Sequence, residues 1–235
     1  MPIHTTVLGI ARLLTAITGV VALVGDINFT IGTSPLAIGN FFSYFTVESM
    51  ILAVMVFVWS GIVALTGRRD PLPLDQLRAL AVAYVTVSGI VFSVLLIEGT
   101  MRGVPVWAPW SSILLHFVIP ALALLDWIVA PGRLLPWSTI GWVLVFPAIW
   151  VVYTMIRGAN VYWYPYFFLD PSLVDVPFEL GLYLLAVVVI FASTTTLLIA
   201  VSRRRSRARG KPKEKPNATP GQGQQKARGS QEQPA

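Results

Sequence analysis

A nucleophilic hydroxyl beside a general base is the least equipment that acyl transfer requires. Two residues of this chain have the type and setting for it. Thr46 lies in the stretch NFFSYFTVES (40–49) and His116 in SSILLHFVIP (111–120), each inside a long apolar run. An imidazole would take the hydroxyl proton as the oxygen attacks, and nearby donors would stabilise the resulting oxyanion. Asn40, Tyr44, Tyr153 and Arg157 are candidate donors, and spacing alone does not choose among them; with Ser43 they form the candidate substrate-binding set. Each residue also has a plainer role. A Thr in an apolar helix usually bonds the carbonyl one turn back, and a buried His often serves only as a hydrogen-bonded structural group. Against that, an ionisable side chain at membrane depth normally faces the bundle interior and marks a site.

The elements that must position these residues are legible from composition. The chain has 235 residues, of which 55% are hydrophobic and 12% charged, the latter about half the share of a soluble domain. Apolar runs of about 20 residues, the length that crosses a bilayer core, recur at 6–27, 40–65, 78–98, 110–130, 138–157 and 178–201. The expected fold is an all-α, six-helix transmembrane bundle over 1–201. Residues 202–235 carry ten Lys/Arg, two Glu and no aromatic residue. Such a segment cannot bury a core and reads as a disordered basic tail. It holds a net charge of +8, against −2 for the rest of the chain, so the overall +6 reports the tail. Anionic lipid is its expected neighbour; nucleic acid is not expected. With no Cys and two His, disulfides, thiolate chemistry and a multi-His metal centre are excluded. No cofactor motif is present.

Arg68, Arg69, Arg78, Arg133 and the tail concentrate positive charge on one side of the six spans. The positive-inside rule then puts both termini in the cytoplasm. In this topology the second and fourth spans are parallel, with Thr46 and His116 each about 9 Å in from its outer end. Asn40, Ser43 and Thr46 follow at three-residue spacing, as a polar stripe on one helix face. Glu48 falls about 200° from Thr46 and off that stripe. It and Glu98 are expected partners for Arg157, and Asp126 is expected as a local cap or an interface residue. Residues 160–171 (NVYWYPYFFLDP) are rich in aromatic rings and hold two prolines. They read either as an aromatic belt at the interface or as a lid over a cavity; Phe42, Phe45 and Phe117 are expected to line it.

Several stretches resemble the Pr-six-Pr family of bacterial six-helix membrane proteins: GNFFSYFTVES (39–49), LLHFVIPALALLDW (114–127), FPAIWVVYTMIRG (146–158) and YWYPYFFLDP (162–171). The likeness covers about residues 5–200. Met50 departs from it, standing where the family pattern leads one to expect Asn. That family is distantly similar to the animal androgen-induced membrane proteins, intramembrane hydrolases of fatty acid esters that use a Thr and a His. The resemblance implies a bacterial plasma-membrane protein that cleaves a lipid-like ester, with Thr46 in YFT and His116 in HFVIP as the matching pair. Two other classes remain open: a carrier or channel for a small solute or protons, and a non-catalytic membrane scaffold. Polar groups gathered near one surface favour a pocket over a path. Oligomeric state is not legible.

Overall fold

The computed structural model describes residues 3–31, 37–68, 70–103, 108–131 and 133–210, and no strand occurs among them. Helices α1 (Ile3–Ile31), α2 (Ala37–Phe41), α3 (Phe45–Leu65) and α4 (Leu72–Arg102) lead into α5 (Trp110–Ile113). A π-helical turn (Leu114–Val118) joins α5 to α6 (Ile119–Val129), and α7 (Thr139–Val161) and α8 (Phe178–Gly210) complete the chain. Six units are long and apolar enough to cross a membrane: α1, α3, α4, the α5–α6 unit, α7 and α8. The chain is an all-helical integral membrane protein.

The central helix is α4, which packs against α3, α6, α7, α8 and the π-turn. Its run Ala79, Ala81, Val82, Ala83, Val85 and Val87 is fully buried, because small and β-branched side chains let neighbouring backbones close in. By contrast α7 and α8 bury the smallest share of their apolar length. They form the loosest flank.

The first, third and fifth spans run longer than expected, the third as Leu72–Arg102 against 78–98, and two further boundaries change the reading of the site and the tail. The second span begins at Phe45 rather than 40, since the chain turns at 42–44 between α2 and α3. Asn40 and Ser43 therefore precede the helix that carries Thr46, and the expected one-face stripe does not exist. At the other end α8 continues through Gly210, so 202–210 are helical rather than tail; 211–235 lie outside the described residues. The extension has acceptors to hold it. Ser202 Oγ donates to the Arg133 carbonyl (2.7 Å), Arg203 Nε to that of Leu135 (3.0 Å), and Arg205 Nη2 to that of Val129 (2.8 Å).

The end of the bundle opposite Thr46 is closed by buried charge. Arg12 on α1 meets Asp70 at 3.0 Å and Asp126 at 2.9 Å. Arg78 on α4 meets Asp70 at 3.2 Å, Asp75 at 3.0 Å and Asp126 at 3.3 Å, and Arg133 meets Asp75 at 3.1 Å. Asp126 is thus no local cap but the anion that ties α6 to α1 and α4. Burial holds the Asp70 carboxyl above the ordinary range, with Arg12 pulling it part of the way back. Removing one member leaves its partners buried and uncompensated. Arg12→Ala is accordingly expected to cost about 3–5 kcal/mol, read as a lowered midpoint of unfolding in detergent. The exposed Arg204→Ala should stay within about 0.5 kcal/mol of the parent.

Candidate functional site

Thr46 is the second residue of α3, and His116 sits in the middle of the π-turn. Thr46 Oγ1 lies 3.1 Å from His116 Nε2 and 2.7 Å from Ser88 Oγ on α4; the Tyr166 hydroxyl stands 3.5 Å away. Four hydroxyl or imidazole groups thus meet at one point, all within the bundle.

The roles follow from donor chemistry. His116 Nδ1 is 2.8 Å from the Ser112 carbonyl, which can only accept. In the neutral ring the proton is therefore on Nδ1, and Nε2 presents its lone pair to Thr46. Thr46 donates to His116, which leaves Ser88 as donor to Thr46 Oγ1. A hydroxyl in this arrangement is aligned to lose its proton to the imidazole as it attacks.

His116 has little room to turn. Phe92 stacks on its ring at 3.8 Å between centroids with the planes 11° apart. From α4, Gly89 lies directly against the His116 carbonyl, where any Cβ would collide with it. The π-turn belongs to the same picture: it shifts the backbone ladder by one residue, a feature frequent at functional sites. The partner of His116 Nδ1 is the Ser112 backbone rather than the Ser112 hydroxyl, which points to α1.

Thr46, His116, Ser88 and Tyr166 face a cavity of about 410 Å³ whose other walls are mainly apolar, among them Phe45, Val87, Leu144, Val151, Val187 and Phe191. The aromatic segment after α7 roofs it, with Tyr166 and Phe168 stacked 5.4 Å apart and both lining the cavity. Burial pushes the Tyr166 phenol up to about 12, although its hydrogen bond to Thr46 and the backbone of Thr46 and Phe45 pull the other way. It remains a donor. Burial, with the charge of Asp26 in second place, also raises Tyr44.

The other expected site residues lie around this centre rather than in it. Tyr44 packs edge-on against Tyr166 and Trp163. Asn40 Oδ1 accepts from Arg157 Nη2 at 2.9 Å, and the guanidinium lies over Trp163. This pair ties the segment before α3 to α7, in place of the expected Arg157–Glu48 or Arg157–Glu98 pairing; Glu98 receives the Tyr183 hydroxyl instead. Ser43 donates to the Gly39 carbonyl and accepts Trp150 Nε1 on its own carbonyl. Tyr153 is exposed on the outer flank of α7 and does not line the cavity. Phe42 and Phe117 are likewise exposed, so of the three expected rings Phe45 alone lines it. Ser88, Gly89, Phe92 and Tyr166 were not singled out by spacing. The one signal for the first two is the Ser88-Gly89 pair, small residues interrupting the apolar run of α4.

No protein-family model, curated protein or solved structure matches the chain.

Gly89 gives this geometry a direct check. Gly89→Ala must displace the π-turn and is expected to cost about 1–3 kcal/mol, measured as a lowered unfolding midpoint. Ala at Gly141, where a Cβ meets open space, should not.

Proposed function

We propose that the chain is an intramembrane ester hydrolase acting on lipid-like fatty acyl esters, with Thr46 as nucleophile and His116 as general base. The observation that carries this reading is the Thr46–His116 contact at the polar end of an apolar cavity. Thr46 Oγ1 attacks the ester carbonyl carbon while its proton passes to His116 Nε2. The tetrahedral intermediate collapses by breaking the bond to the alcohol oxygen, which takes that proton and leaves. Water, deprotonated by His116, then cleaves the acyl–Thr46 ester and returns the proton to Thr46. The oxyanion would be met by the Ser88 and Tyr166 hydroxyls, both of which already stand beside Thr46 Oγ1.

The cavity also speaks to the substrate. None of its lining residues is charged, which suits a hydrocarbon chain. Ala148 and Val188 border it and are exposed on the flanks of α7 and α8, so a chain could enter sideways from lipid. The motif resemblance to the Pr-six-Pr and androgen-induced proteins supports the same assignment, and with it a bacterial plasma membrane with both termini cytoplasmic. A carrier finds less support, because the two polar clusters meet α3 at Thr46 and at Ser60, about 20 Å apart along the helix.

A covalent serine/threonine-hydrolase probe should label Thr46 in protein reconstituted into vesicles. Thr46→Ala and His116→Ala should each lower ester turnover by about 10²–10⁴-fold, and the double variant should be little worse, because the two act as a unit. Equal turnover by the parent and Thr46→Ala would remove the reading. Since Tyr166 is held near 12, turnover should show no loss near pH 10, where an ordinary phenol is half ionised. Topology has its own check on this Cys-free background: a cysteine introduced at 220 should resist labelling from outside intact cells.

A further inference from the structure

We infer that Asp26, on α1, is a positioning residue for His116; only the kinetic arm of the test rests on the hydrolase reading. Asp26 Oδ1 accepts two hydrogen bonds, from Ser111 Oγ at 2.9 Å and from Ser112 Oγ at 3.0 Å. The Ser112 carbonyl is in turn the acceptor for His116 Nδ1 at 2.8 Å. One residue is thus held by its side chain to α1 and holds the imidazole by its backbone.

The surroundings explain why such an anchor matters. Ser111 and Ser112 belong to a helix of four residues that passes straight into the π-turn, where the regular ladder is interrupted. The neighbouring Gly25 brings α1 close enough for Asp26 to reach them: a Cβ there would stand 2.5 Å from the Trp110 ring and 3.2 Å from Ser111 Cβ. Asp26 is half-buried near the end of the first apolar run, where its carboxylate meets the start of the fourth span. Its role there is to fix an acceptor. A fixed Ser112 carbonyl keeps the proton on Nδ1 and the Nε2 lone pair on Thr46 Oγ1, a relay running from Asp26 through Ser112 and His116 to Thr46. No sequence pattern links these four positions.

His4→Gln leaves His116 as the sole histidine, so its tautomer can be read by ¹⁵N NMR on the uniformly labelled full chain. In that background the spectrum should show a protonated Nδ1 and a bare Nε2. Asp26→Ala should mix the tautomers and slow fluorophosphonate labelling of Thr46 by about tenfold or more. Asp26→Asn keeps the Oδ1 acceptor and should restore both readouts. Ser111→Ala combined with Ser112→Ala leaves the carboxylate in place, removes the same two bonds, and should reproduce Asp26→Ala; it decides the matter if Asp26→Ala does not fold. An unmixed tautomer in Asp26→Ala, or in the double serine variant, overturns the inference. A parent protein that no probe labels, but whose tautomer mixes as stated, would instead remove the hydrolase reading and leave the positioning role standing.

Discussion

Hydrocarbon offers a polar side chain no water, so each one placed at membrane depth must find its partner within the protein. That requirement organises this bundle. The buried charges and the hydroxyl–imidazole group around Thr46 form two clusters at opposite ends of α3, with Met50, Ala53, Val56 and Phe57 buried between them, while isolated hydroxyls such as Thr154 and Thr195 lie outside both. Each cluster draws members from several helices. Helix association and polar satisfaction are therefore the same event.

The two ends solve the problem differently. At the charged end, arginines and aspartates from α1, α4, α6 and the intervening loops compensate one another. Buried ions repay their desolvation only when geometry is good and all partners are present, which makes this end rigid and intolerant of single losses. At the other end most groups are neutral, with Asp26 accepting from Ser111 and Ser112 and Arg157 donating to Asn40. His116 is held by a stacked ring, a backbone carbonyl, a close glycine and the Thr46 hydroxyl. These contacts hold the imidazole in one orientation against the Thr46 hydroxyl, a preorganisation that the proposed hydrolase reading would use.

Between the ends, the packing is uneven in a way that bears on access. Around α4 the small residues close the core, whereas α7 and α8 leave the cavity between them and α4. Pro147 lines that cavity from inside α7, where it removes a backbone donor and interrupts the ladder. The aromatic segment after α7 closes the top by ring-on-ring contact, and its Tyr166 reaches Thr46.

The six spans were legible because each apolar run must cross the bilayer alone, and length and hydropathy are local properties of sequence. Thr46 and His116 likewise stand out in the sequence as polar groups that hydrocarbon makes costly. Their companions do not. Ser88 and Gly89 look like ordinary small residues of α4, and Asp126 looks like a cap or an interface residue, until α4 and α6 are packed and show what each faces. The expected stripe of Asn40, Ser43 and Thr46 failed because periodicity assumes an unbroken helix, and the turn at 42–44 breaks it. The sequence by itself determined a six-span helical membrane protein with a basic C-terminal segment and two conspicuous polar positions. The tertiary structure alone decided which polar groups meet, since partners 42, 70 and 120 residues apart are set by helix packing and carry no local signature.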